Sequence, residues 1–240
     1  MLKKWMICLA IFSLGNAASA DDSAEFQAFL KQQKAEFEVF QEKRQQEFEA
    51  FVKRWQEAEQ AYRKKVASQW EDPELSGKTR LVQYSDDLKQ RTVVDYEANT
   101  ITVELNEDQP DANIQQALSQ QLDRLGNTTV AEAASQDPVL INAGVSVNAK
   151  KQTGMPHRQL VPELTQKAEK GPQDVKITRE KGRVKATVNL PSRSTQEKIQ
   201  DILPLVEANA QKWGIPPALI LAIVHTESSF NPLARSHIPA

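Results

Sequence analysis

An eleven-residue repeat constrains the fold of this chain more than any other feature. The segments EFQAFLKQQKA, EFEVFQEKRQQ, EFEAFVKRWQE and the degenerate AEQAYRKKVAS follow one another from residue 25. Eleven residues make three helical turns at about 3.67 residues per turn, so the aromatic side chains of successive segments share one slowly drifting face. We therefore expect a single amphipathic helix whose stripe consists of Phe26, Phe29, Phe37, Phe40, Phe48, Phe51 and Tyr62.

Such a helix cannot bury its aromatic stripe by itself. From about residue 24 to residue 70 it would be roughly 70 Å long, at about 1.5 Å per residue. Two interpretations are open. The helix forms a homo-oligomer through residues 24–70, as a rod or spacer, or it folds into a long amphipathic hairpin within one molecule. In both cases the stripe is a packing surface and not a ligand site.

The first twenty residues are typical of a secretory signal peptide. Lys3 and Lys4 precede the apolar run WMICLAIFSLG, and the small residues that end at Ala20 are followed by the acidic DDSAE. The apolar run is shorter than the roughly 20 residues that a membrane span requires. We expect export to the periplasm or cell envelope with cleavage after Ala20. Because Cys8 is the only cysteine, the cleaved chain excludes disulfides, a thiolate nucleophile and cysteine-ligated metals.

Composition restricts the partners further. A formal net charge of -2 provides no large basic surface, so we expect no nucleic-acid partner. The three histidines, His157, His225 and His237, are too scattered to predict a metal site. The sequence also lacks a phosphate-cradling glycine loop and a dinucleotide-binding fingerprint, and we expect no cofactor.

The central part of the chain predicts a small α+β domain with β-hairpins. Apolar residues alternate on both sides of Glu97–Asn99 in RTVVDYEANTITVEL, and again around Lys181-Gly182 in DVKITREKGRVKATVNLP. We expect both hairpins in one sheet. Between them, PDANIQQALSQQLDRLG predicts a helix that stops at Gly126, and PHRQLVPELTQKAEKG a short helix that ends at Gly171, with a loop over about 148–155.

The last fifty residues change to a helical pattern. Ser194 and Glu197 have the spacing of a capping box, and Gly214 is placed to end that helix in a left-handed conformation. IPPALILAIVHTESSF then starts a second helix with prolines near its first turn, and Asn231-Pro232 is the expected stop.

Glu227 on this last helix is the candidate for chemistry. Ile220, Ile223 and Val224 lie seven, four and three residues before it, so its carboxyl group is expected on the apolar stripe. Burial of that kind raises the pKa of a carboxyl group, as a general acid near neutral pH requires. Ser228 supplies a neighbouring hydroxyl group. The alternative is that Glu227 merely ends a helix and pairs with a lysine or arginine.

Two stretches resemble a known family. KWGIPPALILAIVHTESSFNPLARS resembles the start of the lytic transglycosylase domain of the soluble-lytic-transglycosylase, goose-lysozyme-like kind, whose glutamate-serine pair falls on Glu227 and Ser228. YSDDLKQRTVVDYEANTITVEL and VKATVNLP are similar to the N-terminal domain of the type C lytic murein transglycosylases. The resemblance covers about residues 80–240. The repeat has no recognised counterpart, and the missing lipoprotein cysteine leaves membrane attachment open.

The resemblance implies an enzyme that cleaves peptidoglycan between N-acetylmuramic acid and N-acetylglucosamine without water or a cofactor. Glu227 would protonate the glycosidic oxygen and then accept the proton of the muramoyl C6 hydroxyl, which closes a 1,6-anhydro ring. Ser228 would position Glu227 or stabilise the intermediate. Family members continue with Gly-Leu-Met-Gln and Ala-Tyr-Asn-x-Gly segments, whereas this sequence stops at SHIPA. We therefore expect a truncated catalytic domain and an inactive polypeptide.

Together these patterns predict an α+β chain of four parts. Residues 1–20 form the signal peptide, 21–72 the long helix, 79–190 the α+β domain, and 191–240 the first helices of an all-α, lysozyme-like domain. The competing class is a non-enzymatic envelope scaffold or peptidoglycan-binding protein that oligomerises through its N-terminal helix.

Overall fold

The computed structural model describes residues 20–145, 158–164, 174–191 and 193–236, with side chains from residue 24 onwards. Contacts divide the chain into two units, Met1–Ala50 and Phe51–Ala240. The predicted signal peptide, the predicted loop 148–155 and the residues His157, Gly171 and His237 lie outside the described part, so those predictions stay predictions.

The eleven-residue repeat forms one unbroken helix, α1, over Ala20–Ala67. Every side chain from residue 24 to residue 50 is exposed. Gln32 and Gln45 donate hydrogen bonds to Glu36 and Glu49 one turn later, at 2.9 and 2.8 Å. Because α1 does not turn back on itself, the hairpin interpretation of the repeat is wrong.

In the second unit, the final turns of α1 bury their part of the stripe. Ala58 is 4% exposed and packs in a cluster with Val139 and Ala143, which Trp55 and Tyr62 flank. Beyond the helix, Trp70 is 2% exposed and its indole N–H donates to the carbonyl of Leu88 at 2.7 Å. In its final turns, the apolar face of α1 therefore packs against other residues of the second unit.

A five-stranded antiparallel sheet forms the centre of the second unit, in the order β1-β2-β3-β5-β4. Its strands are β1 (Arg80–Tyr84), β2 (Gln90–Asp95), β3 (Thr100–Leu105), β4 (Lys176–Glu180) and β5 (Arg183–Asn189). Both predicted hairpins, β2–β3 and β4–β5, are confirmed and share this sheet. Strand β1 was not predicted, and it pairs with β2 with Leu81 opposite Val94.

Helix α2 (Asp111–Asn127) covers one face of the sheet. Ile114 and Leu118 on α2 pack against Ile101 and Val103 on β3 in the main core. The helix predicted over PDANIQQALSQQLDRLG is confirmed, and it ends at Asn127, one residue beyond the predicted Gly126. A Cβ atom at Gly126 would lie 3.2 Å from Cβ of Leu164, so the glycine permits a close approach of two backbone segments.

Two short helices, α3 (Val130–Ser135) and α4 (Pro138–Asn142), follow α2. The helix predicted over PHRQLVPELTQKAEKG is wrong for the described residues 158–164. Gln159 makes an isolated bridge to Thr129, and only Pro162–Leu164 form a 3-10 turn. Tyr96 anchors this segment because its hydroxyl group donates to the carbonyl of Leu160 at 3.0 Å.

The chain then forms α5 (Thr195–Trp213) and α6 (Pro217–Ser228). The expected α+β class, with a long N-terminal helix, a sheet and then helices, is thereby confirmed. Among the described residues, no helix combines the length and the apolar character that a membrane crossing requires.

Candidate active site

Local signals explain where α5 begins and ends. The hydroxyl group of Ser194 accepts from the backbone N–H of Glu197 at 3.2 Å, and the Glu197 carboxylate accepts from the backbone N–H of Ser194 at 2.7 Å. This is the predicted capping box. Gly214 ends the helix with φ 65°, in the left-handed region that glycine adopts readily.

Helices α5 and α6 pack against each other through one apolar seam. Ile202 and Val206 of α5 are 5% and 4% exposed and form a cluster with Phe230. Ile220 and Val224 of α6 pack against that cluster but are only partly buried. No residue within α6 itself is buried. The pair thus has one packed side, and α6 lacks a second layer among the described residues.

The turn after Glu227 and Ser228 is tight. Ser229 and Phe230 both adopt positive φ angles, 47° and 65°, which residues other than glycine rarely adopt. Burial of Phe230 and one ring contact stabilise this conformation. Phe230 is 5% exposed, and its ring stacks on His225 with a centroid distance of 5.6 Å. The turn therefore ends α6 directly after the glutamate-serine pair.

Asn231 fastens this turn to the segment before β1. Its side-chain amide donates to the carbonyl of Lys78 at 3.0 Å and to that of Gly77 at 3.4 Å. The carbonyl of Gly77 also accepts from the backbone N–H of Arg235 at 3.1 Å. The side chain of Arg235 forms an ion pair with Asp137. These contacts bring residues 77 and 78 to the end of α6.

Lys78 is the partner of Glu227. Its Nζ atom lies 2.5 Å from Oε2 of the glutamate, and the two side chains are 52% and 59% exposed. The expected burial of Glu227 on the apolar stripe is therefore wrong. The reason is the missing second layer, because Ile223, one turn before Glu227, is 52% exposed, as is Leu219 in the first turn of α6. The contact with Lys78 agrees with the alternative expectation, in which Glu227 ends a helix and pairs with a lysine or arginine.

Ser228 lies next to Glu227 in sequence, but its hydroxyl group is used within the helix. It donates to the backbone carbonyl of Val224 at 2.7 Å, and the side chain is half-buried. The described contacts include no hydrogen bond between Ser228 and Glu227. A positioning role for Ser228 would need its hydroxyl group to leave this carbonyl.

A cleft of about 260 Å³ opens beside this turn, between α5 and α6. Its wall is mostly apolar and includes a few polar side chains. It is lined by Arg158, Ile202, Leu205, Val206, Asn209, Ile220, Val224, Ser228, Phe230, Asn231 and Pro232. Ser228 faces this cleft, whereas Glu227 is not among its lining residues.

A cluster of charged residues joins α5 to the segment that precedes the 3-10 turn. Arg193 binds Asp201 through two hydrogen bonds of 2.7 and 3.1 Å, and Arg158 reaches the same carboxylate at 3.3 Å. Burial opposes ionisation of Asp201, but the hydrogen bond from Arg193 and the two positive charges outweigh it and lower the pKa of this carboxyl group. The side chains of Arg193 and Glu163 are each 7% exposed.

Sequence patterns missed Lys78 and Arg158, which the fold brings to this region from distant positions. No local signal could have identified them, because Lys78 is 149 positions from Glu227 and Arg158 is 43 positions from Asp201.

No group of three or more histidine, cysteine, aspartate or glutamate side chains in the described ranges could hold a metal ion.

Two family models match this chain. Residues 204–240, which include α6 and Glu227, match the Transglycosylase SLT domain. Residues 41–131 match the N-terminal domain of membrane-bound lytic murein transglycosylase C. This chain is a relative of the lytic murein transglycosylases. The second match begins inside the repeat, so the last two repeat segments do have a counterpart in the family, contrary to the expectation from the sequence.

Curated relatives agree with these models. The chain is 30% identical over 176 residues to membrane-bound lytic murein transglycosylase C of Yersinia enterocolitica, covering 68% of this chain and 47% of that protein. It is 28% identical over 180 residues to the protein of the same name from Pectobacterium atrosepticum, covering 69% and 48%. The chain therefore spans about half the length of these relatives.

Proposed function

We propose that this chain carries the acid–base glutamate of a peptidoglycan lytic transglycosylase, and that this residue is Glu227. The observation that supports the proposal most directly is its place in the last turn of α6, followed by Ser228, within the segment that matches the transglycosylase domain. The substrate class is peptidoglycan, and the bond is the one between N-acetylmuramic acid and N-acetylglucosamine.

The reaction needs one carboxyl group in two protonation states. Protonated Glu227 donates its proton to the glycosidic oxygen as the bond from that oxygen to muramoyl C1 breaks. The C6 hydroxyl oxygen then bonds to C1, and its proton passes to the Glu227 carboxylate. The products are a 1,6-anhydro sugar and a free hydroxyl group, with no water consumed. A single carboxyl group is sufficient, so a two-carboxylate pair is not required.

We further propose that Glu227 cannot act while it is paired with Lys78 and open to solvent. Lys78 occupies Oε2 of Glu227, so on this proposal Lys78 moves away before the carboxyl group meets the glycosidic oxygen. Catalysis also requires the carboxyl group to be held by a supporting shell, and Glu227 is 59% exposed. The partner of its carboxylate is Lys78, which is itself half exposed, and this supports an inactive arrangement.

Muropeptide analysis tests both proposals. Purified peptidoglycan is incubated with the 240-residue chain, and soluble products are separated and identified by mass spectrometry. We expect no 1,6-anhydro products. A chimera that continues from residue 236 with the part of the Yersinia relative following the aligned region should release them. Glu227→Gln in the chimera should abolish release, with Glu207→Gln as the matched control. Activity that survives Glu227→Gln in the chimera would contradict the assignment of Glu227.

For localisation, we propose export through residues 1–20 to the cell envelope, where peptidoglycan is found. The relatives are named membrane-bound. Amino-terminal sequencing of the protein from a periplasmic fraction should read from Asp21. A protein that retains Met1 would contradict the proposal.

A second candidate function is a scaffold in the envelope that associates through α1. The specific observation that favours it is the exposure of the phenylalanine stripe between residues 26 and 48. This role does not depend on the chemistry of Glu227, and both could belong to the same protein.

A further inference from the structure

The first half of α1 presents a regular aromatic surface to solvent. Phe26, Phe29, Phe37, Phe40 and Phe48 are between 39% and 58% exposed. They repeat every eleven residues, as they must if one face of a helix is to remain apolar over many turns. Exposed large apolar side chains scattered singly are ordinary, but a continuous stripe indicates an interaction surface.

The last two repeats indicate that this face of α1 packs against protein. At its ninth position, each repeat has one residue near the centre of the stripe, and these are Gln33, Arg44, Trp55 and Val66. Val66 is fully buried, and Trp55 packs against the cluster around Ala58. The same face therefore packs against protein in its last two repeats. In the first two repeats, phenylalanines flank polar centres.

We infer that the exposed stripe pairs with the same stripe of a second copy of this chain, with the two helices antiparallel over residues 26–51. This inference deepens the self-association proposed above and does not depend on the transglycosylase chemistry. The two-fold axis passes midway between Phe37 and Phe40.

The spacing of the phenylalanines fits this register. Phe37 lies opposite Phe40 of the second copy at the centre, and the outer pairs are Phe29 with Phe48 and Phe26 with Phe51. Every aromatic residue of the segment thus faces an aromatic residue. The pairing stops at Phe51, close to where the stripe of each chain begins to pack within its own second unit.

The polar centres decide between antiparallel and parallel helices. In a parallel, in-register pair, each Arg44 would face the Arg44 of the second copy, and two like charges in a desolvated seam repel each other. In the antiparallel register, Arg44 faces Gln33 and comes within one turn of Glu36 of the second copy. Within its own helix, Nη1 of Arg44 lies 3.6 Å from Oε2 of Glu47.

The surface area is sufficient for a dimer. At about 200 Å² for a phenylalanine side chain, the exposed fractions leave about 500 Å² of aromatic surface on each chain, or about 1,000 Å² in a pair. The aliphatic parts of Leu30, Gln33 and Arg44 add to this, which brings the total near the lower limit for specific interfaces. A repeat of about 3.67 residues per turn gives such a pair a right-handed supercoil.

Sedimentation measures the self-association. We expect the chain to be dimeric at micromolar concentrations, and Phe37→Ala with Phe40→Ala to raise the dissociation constant by roughly 100-fold or more. Alanine favours helix, so circular dichroism should show that the helix is retained. Val39→Ala is the matched control, because Val39 is 65% exposed on the opposite face of the same turn and its loss should leave the dimer intact. A monomeric wild-type chain would overturn the inference altogether.

Disulfide trapping measures the orientation. In a Cys8→Ser background, Gln33→Cys and Arg44→Cys chains are mixed and oxidised. The antiparallel register predicts mixed 33–44 disulfides and few homodisulfides. Homodisulfides 33–33 and 44–44 would overturn the antiparallel arrangement while leaving self-association in place. Glu42→Cys on the outer face is the control and should form neither. Failure of the chimera to cleave peptidoglycan would leave all these results unchanged, so the two proposals fail separately.

Discussion

The ammonium nitrogen of Lys78 lies 2.5 Å from Oε2 of Glu227. The residue proposed as the catalytic acid thus has a cationic partner from the segment just before β1, far from its own helix in the sequence. Each side chain is more than half exposed. Water therefore competes with the pair, and its contribution to stability is small.

The first prediction concerns that pair. Lys78→Met should change the free energy of unfolding by no more than about 0.5 kcal/mol, because exposed ion pairs contribute little. Glu227→Gln should behave in the same way. Urea denaturation followed by circular dichroism measures both. A loss of about 2 kcal/mol or more, which approaches the scale of a buried pair, would mean that the contact is protected from solvent.

The second prediction concerns Asn231, which is 5% exposed. Asn231→Ala should destabilise the chain by about 1–2 kcal/mol, because the carbonyls of Gly77 and Lys78 lose their side-chain donor. Asn209→Ala is the matched control. Its amide donates only to the carbonyl of Leu205 one turn earlier in α5, so its loss should cost less. Equal losses in the two variants would contradict the fastening role of Asn231.

The third prediction concerns pH and Asp201. Its pKa is lowered in the folded state, because the hydrogen bond from Arg193 and the charges of both arginines outweigh burial. The stabilisation is therefore present above the unfolded pKa of about 3.9, and it is lost as the pH falls through the lowered folded value. At pH 6, Asp201→Asn should cost about 1–2 kcal/mol, less than for a fully buried pair because water reaches this carboxylate.

The difference between the wild type and Asp201→Asn should then shrink as the pH is lowered from 6 to 3. Urea midpoints at several pH values measure it, with Glu207→Gln as a surface control on the same helix. A difference that stays constant to pH 3 would show that the Asp201 carboxylate is not the stabilising form.

The fourth prediction concerns the packing of α2. Gly126→Val should destabilise the chain by about 1–3 kcal/mol, because even a Cβ atom there would lie 3.2 Å from Cβ of Leu164. Gln120→Val, on the exposed side of the same helix, carries only the helix-propensity cost of about 0.5 kcal/mol. Thermal unfolding of both variants separates the two effects. A neutral Gly126→Val would mean that the residues 158–164 can move away.

Elements with local signals were predictable from the sequence. The repeat predicted α1, alternation around Lys181-Gly182 predicted a hairpin, and the pairing of Ser194 with Glu197 predicted the start of α5. Each depends on residues only a few positions apart. The end of α2 was predicted to within one residue, but the contact of Gly126 with Leu164, 38 positions later in the sequence, was not predictable from local signals.

The environment of Glu227 could not be predicted in this way. Helical spacing places it on the same side as Val224 and Ile220, but spacing does not say whether another layer covers that side. Lys78 lies near it in a segment that Asn231 and Arg235 bind through the carbonyl groups of Gly77 and Lys78. Burial and long-range partners depend on the whole fold, whereas the position of a residue on its helix depends on a few turns.

The repeat of α1 also sets the unit in which this helix can change length. At about 100° per residue, removal of eleven residues turns the remaining helix by only about 20°, whereas removal of five turns it by about 140°. Phe26 and Phe48 differ by two such units. Chains with whole repeats added or lost would keep their phenylalanines in phase, so natural variants of this helix should tolerate insertions and deletions of eleven residues far better than those of five.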